Sequence, residues 1–355
     1  MRILTIEVPP SLQVETGEDS YDSLLARPCK IPPGNPIDLI RLVALCLGAS
    51  LGRIPDHPNA IYSYNQDIEN VAPAFALSAI TGSPFVVLYH QLNKGSFEPF
   101  SVGFQSRRSR GFSLPGAMWR SIVPALNGFF LRRCDGRLAL SESVMDEVRR
   151  AGLGECTVVN NGVDLERFRP QNVPKTYDAA FLGRISHQKG IDVLLRAWKI
   201  VVSQRANARL ALIGGGDARD LSLYSRMSVQ LGLQNNVSFL GFLSDEDVVA
   251  SLNSSKLFVF PSRKEGFAQA VSQAMGCGIC CVLSDLPTLR EIYGPAAVMV
   301  KGDDPIDWAN TVVQLLSDEQ RRNEVASKAR LHVSRFSWDE SASRELEVIT
   351  RCARE

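Results

Sequence analysis

The sequence lacks an apolar run long enough to span a membrane. The most apolar candidate, LIRLVALCLGASLG, is interrupted by Arg41. At the start of the chain, MRILTIEVPP meets Pro9 after a short apolar stretch, which is typical of a first β-strand and too short for a signal peptide. With no secretion signal evident, the eight cysteines are expected to stay reduced. A cytoplasmic location is therefore predicted.

A charge excess is also missing. The 39 basic and 38 acidic residues give a net charge of +1, which argues against a general nucleic-acid-binding protein. Internal repeats and low-complexity segments are not evident either. The composition is that of a globular protein, with 45% hydrophobic residues. A chain of 355 residues is longer than one ordinary domain core accommodates. Two domains are therefore expected.

Short apolar runs alternate with helix-length segments along almost the whole chain. The expected strands are RILTIEV, AIYSY, FVVLYH, GRLAL and TVVN in a first series, and AAFLG, RLALIG, VSFLG, KLFVF, CCVLS and AVMV in a second. Apolar runs of this kind, alternating with helices, indicate parallel strands covered on both faces. The sequence thus predicts an α/β protein with two doubly wound Rossmann-like domains, at 1–170 and 171–336. A closing helix at 337–355 is expected to pack back on the N-terminal domain.

Ligands of such sheets bind beyond the carboxyl ends of the strands, so the corners of the second series hold the candidate site. In FLGRISHQKG, Gly183 ends a strand, and Arg184 and Lys189 precede a helix. Two cations beside free helix N–H groups suit a diphosphate, although solvated loop charges are the alternative. In ALIGGGDARD, the glycines 214–216 permit a tight turn and close approach to a ligand.

Two further motifs resemble metal sites but favour other interpretations. Asp245 and Asp247 form an Asp-x-Asp motif, yet Ser244 stands three residues before Asp247, which is the spacing of a helix capping box. Cys277 and Cys280 form C-x-x-C, but no second pair or nearby histidine completes a zinc set. Small core cysteines are the expected outcome, and no metal site is predicted.

The fourth corner is SRKEGFAQAVSQAMGCG, residues 262–278. Glu265 lies just before a predicted helix, where its carboxylate could accept hydrogen bonds from sugar hydroxyls. The alternative is a carboxylate that only stabilises the helix dipole. A helical projection places Phe267 with Val271, Ala274 and Met275 on an apolar side, and Gln269, Ser272 and Gln273 on a polar side expected to face a cleft.

Taken together, these corners resemble the retaining glycosyltransferases of family 4, which have the GT-B fold of two Rossmann-like domains facing across a cleft. The matching pieces lie within about 138–300 and run in the family's order: SESVMDEV, NNGVDLERF, FLGRISHQKG, LIGGG, VSFLGFLSDEDV, FVFPSRKEGF and AMGCG. The resemblance implies that Arg184 and Lys189 hold the donor diphosphate and that Glu265 binds the donor sugar. The other donor contacts that it implies are Gly183, Gly214, Gly215, Phe242, Leu243, Gly266, Phe267, Ala268, Gln269 and Gln273.

Gln273 departs from the family pattern, because it occupies the last position of the E-x7-E signature. A carboxylate there could accept hydrogen bonds from both ribose hydroxyls, whereas an amide accepts at one end and donates at the other. Losing one charge-assisted hydrogen bond is expected to cost about 1–2 kcal/mol of donor affinity and to leave the chemistry intact.

The first half carries fewer signals. The resemblance implies a catalytic role for His90, which ends the strand FVVLYH, together with Glu265, Arg184 and Lys189. The loop after the first strand has only Gly17 where the family usually has a glycine pair, so acceptor contacts cannot be carried over to it. The implied reaction needs no metal or other cofactor and uses a UDP- or GDP-sugar donor with a glycan, lipid-linked or small-molecule acceptor.

The segment 99–134 is basic and aromatic. It contains no acidic residue, six arginines (107, 108, 110, 120, 132, 133) and six aromatic residues (100, 104, 112, 119, 129, 130). This composition suits peripheral contact with an anionic membrane at the inner face, or a pocket for a phosphate-bearing acceptor. A helix pair with its aromatic residues packed inside and its arginines solvated is the alternative.

Two other functions stay open at this point. The first is a catalytically decayed donor-binding partner subunit, suggested by Gln273 and the unusual first loop. Retention of His90, Arg184, Lys189 and Glu265 argues against it. The second is a sugar-nucleotide epimerase of similar fold, which would need acid and base carboxylates in the first half that the sequence does not reveal.

Overall fold

The chain divides into two compact units, each built on a parallel sheet. A computed structural model describes residues 3–5, 58–92, 100–109 and 113–354. The first unit comprises Met1–Asn160 and Asp339–Glu355, and the second comprises Asn161–Trp338. The sequence prediction had set this boundary at 170, ten residues further along.

The described strands of the first unit pair in chain order, all parallel. Its strands are β1 (Ile3–Thr5), β2 (Ala60–Ser63), β3 (Phe85–Tyr89), β4 (Gly136–Ala139) and β5 (Thr157–Val158), and its helices are α1 (Ile68–Thr81), α2 (Phe100–Ser109), α3 (Leu114–Leu131) and α4 (Glu142–Arg150). Every residue of β3 is buried, as expected for an apolar central strand of a parallel sheet.

The second unit contains a six-stranded parallel sheet in the order β11-β10-β9-β6-β7-β8. Its strands are β6 (Tyr177–Leu182), β7 (Leu210–Ile213), β8 (Val237–Gly241), β9 (Ser255–Phe260), β10 (Cys280–Ser284) and β11 (Val298–Val300). Its helices are α5 (Ile191–Gln204), α6 (Ala218–Gln230), α7 (Asp245–Asn253), α8 (Gln269–Gly276), α9 (Pro287–Tyr293), α10 (Pro305–Ser317) and α11 (Glu319–Val333). All eleven runs predicted as strands are therefore confirmed.

The strand order reverses between β6 and β9. The chain passes from β6 outward to β7 and β8, and then returns to place β9 on the other side of β6. At such a switch point the loops leaving the two central strands turn in opposite directions and open a crevice beyond their carboxyl ends. Gly183 and Pro261 begin the two loops concerned.

A closing helix, α12 (Trp338–Cys352), belongs to the first unit apart from its first residue. The hydroxyl of Tyr62 in β2 donates a buried hydrogen bond of 2.9 Å to Oε2 of Glu345. Gly136 in β4 faces the same helix, because a β-carbon there would lie 2.9 Å from Sγ of Cys352. The first unit is therefore completed by residues from both ends of the chain.

The two ends of the second unit lie side by side. The N–H group of Val163 donates to the carbonyl of Phe336 at 3.0 Å. A β-carbon on Gly162 would come within 2.2 Å of the backbone nitrogen of Trp338, so only glycine permits this approach.

Candidate functional site

The residues predicted to hold diphosphate and sugar are in direct contact. Nζ of Lys189 lies 2.6 Å from Oε1 of Glu265, and the side chains are 17% and 7% exposed. Oγ of Ser262 donates a second hydrogen bond of 2.5 Å to the same carboxylate oxygen. Lys189 follows β6 and Glu265 follows β9, so this ion pair spans the switch point of the sheet. A mostly buried ion pair at this position forms a polar site at the carboxyl ends of two apolar strands.

Several hydrogen bonds join the two loops that carry this pair. The N–H group of Arg263 donates to the carbonyl of Gln188 at 2.8 Å, and the Gln188 side chain donates to the carbonyl of Lys264 at 3.2 Å. The guanidinium of Arg263 donates to the carbonyl of His187 at 2.6 Å and to Asp192 at 2.7 and 2.9 Å. The sequence analysis did not identify Arg263 and Ser262. Their role is to bind the loop after β6, which lies more than seventy positions away in the sequence.

Gly190 permits the turn that presents Lys189. Its φ is +70°, and a β-carbon would lie 1.9 Å from the carbonyl oxygen of Pro261. The loop after β6 therefore packs directly against the backbone at the end of β9. No other residue type fits this position without moving the backbone.

The glycines predicted as donor contacts lie together at the neighbouring strand ends. Gly183 has a φ of +151° and Gly214 one of +118°, and a β-carbon on Gly214 would lie 2.2 Å from the carbonyl oxygen of Gly183. The Gly214 N–H group donates to the carbonyl of Gly241 at 2.8 Å. These strand ends thus expose backbone rather than side chains toward the region beyond the sheet.

Two of the predicted donor residues are open to solvent. Arg184 is exposed and forms no salt bridge within the described part of the chain. Phe242 is 87% exposed, and its ring lies over Gly215, where a β-carbon would come within 2.1 Å of it. An uncommitted cation and a solvated aromatic ring are groups that can still bind a ligand. Leu243 is half-buried beside them.

The loop before α8 has a strained backbone. Ala268 has a φ of 61° and is the one non-glycine residue with a positive φ among those described. The Tyr293 hydroxyl lies 2.7 Å from the carbonyl oxygen of Phe267, 3.1 Å from that of Ala268 and 2.8 Å from Oγ of Ser272. Burial raises the pKa of Tyr293, so its phenol stays protonated and donates to these carbonyls. Tyr293 therefore holds the loop between Glu265 and α8 in its strained shape.

We expect Tyr293→Phe to raise the donor KM about tenfold with little change in kcat, since one hydrogen bond of about 1–1.5 kcal/mol is lost from the loop. Ala268→Gly in the same chain should recover part of the loss, because glycine adopts a positive φ without strain. Steady-state kinetics with varied donor measure both effects.

The control for that variant is Tyr224→Phe, which alters another buried tyrosine of the same unit. It should leave the donor KM unchanged. A lower melting temperature in Tyr293→Phe with an unchanged donor KM would show that the tyrosine serves stability alone.

The prediction that the polar side of α8 faces a cleft is wrong in part. Ser272 is fully buried against Tyr293, and the Gln269 side chain donates to the carbonyl of Gly162 at 2.7 Å. Gln273 is half-buried. A helical projection sorts residues by polarity, but here two polar side chains bond to protein groups instead of facing solvent.

The side chain of Phe267 is also packed against other residues of the protein. Its ring packs edge-to-face against Tyr293 and Phe336, with centroids 6.0 and 5.6 Å apart. A donor contact at this position would be made by its backbone. Gly266 and Ala268 are buried as well, so the predicted contacts along 266–269 concern main-chain groups.

The preferred interpretations of the two metal-like motifs are confirmed. Oγ of Ser244 accepts a hydrogen bond from the N–H group of Asp247 at 3.2 Å, which caps α7, and Asp245 pairs with Arg167. Cys277 and Cys280 are buried, and burial raises the pKa of each thiol to about 12. Both thiols therefore stay protonated at neutral pH.

His90 follows β3 in the first unit and is anchored at the neighbouring strand end. Its Nε2 lies 2.7 Å from the carbonyl oxygen of Tyr64, and its backbone N–H group donates to Oε1 of Gln66 at 2.9 Å. Burial lowers the pKa of His90, so its ring is neutral at pH 7. A neutral ring that donates from Nε2 to a carbonyl keeps Nδ1 as an acceptor. The loop containing Gly17 lies outside the described residues.

Comparison with known proteins places these features in a family. Residues 58–167 match the model for glycosyltransferase family 4, and residues 163–332 match the model for glycosyl transferases group 1. The chain belongs to the family 4 glycosyltransferases. The two matches adjoin and together include His90, Lys189 and Glu265.

The curated relatives align with only part of this chain. A D-inositol 3-phosphate glycosyltransferase of Thermobispora bispora is 32% identical over 215 residues, which is 55% of this chain and 50% of that protein. An uncharacterized glycosyltransferase of Methanocaldococcus jannaschii is 34% identical over 173 residues, 47% of this chain and 43% of that protein. The chain therefore spans about half the length of the curated relatives it matches.

Solved structures support the GT-B fold of this family 4 glycosyltransferase. Anabaena HepE in complex with UDP and glucose has a TM-score of 0.69 at 18% identity, covering 90% of this chain and 84% of that one. S. aureus TarM, in a complex that includes UDP, has a TM-score of 0.67 at 17% identity, covering 86% and 58%. The predicted fold class is confirmed.

Proposed function

We propose that the chain is a retaining glycosyltransferase that transfers a hexosyl group from a nucleotide-diphosphate sugar to a hydroxyl acceptor. The observation that carries this proposal is the Lys189–Glu265 ion pair at the switch point of the second sheet. It places a cation for the diphosphate and an acceptor for sugar hydroxyls side by side where ligands of such sheets bind.

In this proposal Arg184 and Lys189 neutralise the diphosphate as it leaves the anomeric carbon. Charge that develops on the leaving oxygen is stabilised by cations already in place, so the reaction requires no metal ion. Lys189 is held by Glu265 and the turn at Gly190, whereas Arg184 is exposed and closes onto the ligand from solvent. Backbone groups at the strand ends approach the nucleotide.

The sugar and ribose are assigned to the corner before α8. Glu265 accepts hydrogen bonds from sugar hydroxyls, aided by the main chain of 266–269. Gln273 meets the ribose, and the exposed ring of Phe242 lies where a base can stack on it. Neutral His90 acts near the reacting centre, with Nδ1 accepting a hydrogen bond from sugar or acceptor.

UDP-sugars are the first donors to test, since HepE and TarM were solved with UDP, and GDP-sugars are the second. Acceptors to test include phosphorylated polyols, because several relatives are named for D-inositol 3-phosphate, and glycan and lipid-linked hydroxyls. With such acceptors, the protein would act in glycan or glycolipid synthesis.

The deciding experiment follows donor binding and donor consumption separately. A donor present at about one hundred times its Kd should stabilise the chain by about 2.7 kcal/mol in a thermal-shift assay. Release of UDP or GDP in the presence of acceptors then shows turnover. Stabilisation by donor without release, over the whole acceptor panel, would favour the donor-binding subunit instead. Absence of both would reject the proposal.

Restoring the acidic residue at position 273 tests the ribose contact. Gln273→Glu should lower the donor KM about 5- to 30-fold and leave kcat nearly unchanged, because a carboxylate accepts from both ribose hydroxyls and one such bond contributes about 1–2 kcal/mol. Donor and 2′-deoxy donor kinetics measure this. An unchanged KM would remove Gln273 from the ribose site.

A further inference from the structure

An exposed apolar stripe runs along one side of α3. Leu114, Met118 and Phe129 are 56%, 47% and 42% exposed, and Ile122 and Ala125 between them are half-buried. At about 100° per residue these five positions fall within an arc of about 80°. The stripe is about 22 Å long. We define the apolar stripe as these five residues.

The other side of α3 is already occupied. Ala117, Ser121 and Leu131 are fully buried, and Phe130 packs against Phe75 of α1 with ring centroids 4.9 Å apart. The helix is therefore seated on the unit by this packing. Of the apolar stripe, Phe129 also contacts Phe75, with ring centroids 6.2 Å apart, whereas Leu114 and Met118 are about half exposed. Helix α2, which packs against α3, adds exposed Phe100 and Val102.

Positive charge borders the apolar stripe. Arg132 and Arg133 are exposed directly after α3, and Cζ of Arg133 lies 3.6 Å over the Phe129 ring. Arg108 of α2 is exposed as well. The sequence from 99 to 134 has no acidic residue, so the segment as a whole carries a positive charge.

We propose that this face of the first unit docks on an anionic lipid surface. Leucine, methionine and phenylalanine would enter the boundary between head groups and acyl chains, and the arginines would meet lipid phosphates, as in helices that lie in the plane of a membrane. A second copy of this chain is a poorer occupant. A two-fold interface pairs the same surface of both copies, so both sides would carry the same excess of positive charge.

This mode of association is peripheral. Within the described residues, no helix has both the length and the apolar content to cross a bilayer. Attraction to anionic lipid contributes about 1 kcal/mol per basic residue near the surface and weakens with salt. Both an apolar and an electrostatic component are therefore measurable in the binding.

The test is co-sedimentation of the full chain with vesicles of phosphatidylcholine, alone or mixed with phosphatidylglycerol. The parent chain should bind the mixed vesicles, and binding should weaken as salt is raised. Leu114→Ser with Met118→Ser should lower the vesicle affinity at least tenfold, and Arg132→Ser with Arg133→Ser should remove the preference for anionic lipid. Because all four side chains are exposed, both double variants should have melting temperatures close to that of the parent.

The control pair is Leu223→Ser with Val229→Ser, which removes equally exposed apolar side chains from α6 of the second unit. It should bind vesicles like the parent. The proposal fails if the parent binds both vesicle types equally or not at all, or if the Leu114 and Met118 replacements leave binding intact. It also fails if those replacements convert a dimer into a monomer in light scattering, since the stripe would then bind a second copy.

Discussion

Lys189→Met should lower kcat/KM for the donor about 10²- to 10³-fold, the loss typical of removing one group that stabilises charge in a transition state. The same change should lower the free energy of unfolding by about 3 kcal/mol, because it leaves the mostly buried carboxylate of Glu265 without its cation. Donor kinetics and chemical denaturation measure the two effects.

A double variant separates these effects. Lys189→Met with Glu265→Gln removes both charges, so no unpaired carboxylate is left and most of the lost stability should return. Transfer should stay low, because the diphosphate still lacks its cation and the sugar lacks its carboxylate. Recovery of transfer in the double variant would show that the ion pair serves only the fold.

The same two strands supply a matched control. Lys256 in β9 pairs with Asp178 in β6, with Nζ 2.8 Å from Oδ1. This ion pair lies at the amino ends of the two strands, whereas Lys189 and Glu265 follow their carboxyl ends. Lys256→Met should cost some stability and leave donor kinetics unchanged. A similar loss of transfer in this variant would mean that the assay reports general loosening of the sheet.

Gly190→Ala should lower the free energy of unfolding by about 3 kcal/mol. A left-handed conformation costs an alanine about 1–2 kcal/mol, and overlap with the carbonyl of Pro261 adds a further 1–3 kcal/mol, roughly, through forced backbone movement. For a domain of this size the melting temperature should fall by about 6–12 °C. Transfer should fall too, since the turn presents Lys189.

Gly302→Ala isolates the conformational part of that effect. Gly302 has nearly the same φ, +71°, in the same unit, and a β-carbon there meets nothing within 4 Å. Its replacement should cost about 1–2 kcal/mol and leave transfer unchanged. If the two alanine variants lost equal stability, the close approach of Gly190 to Pro261 would contribute nothing.

The sequence predicted the strands because each is a short apolar run bounded by polar or glycine-rich segments. It also predicted that the site lies at the corners after β6, β7, β8 and β9, since parallel sheets bind ligands there. Strand order was not predictable from the runs. Without that order, nothing indicated that Lys189 and Glu265, 76 positions apart, form one ion pair.

Other features depended on distant contacts. The helical projection places Ser272 on a polar side, but Ser272 is buried and bonds to Tyr293, 21 positions later. The strain at Ala268 likewise has no sequence signal, because alanine is ordinarily helical and the hydrogen bonds that hold this loop come in part from Tyr293, 25 positions away. Periodicity describes which side chains share a face, and it does not describe what covers that face.

The adjacent ends of the second unit affect what each unit needs from the rest of the chain. Since Val163 and Phe336 are bonded to each other, the second unit is an insertion whose two ends meet, and, among the described strands, its sheet contains none from the first unit. The first unit begins earlier but needs Glu345 to satisfy Tyr62, 283 positions away. The order of the units along the chain therefore differs from the order of their requirements: the second unit, as the structure describes it, needs nothing beyond Trp338, whereas the unit that precedes it needs the last helix.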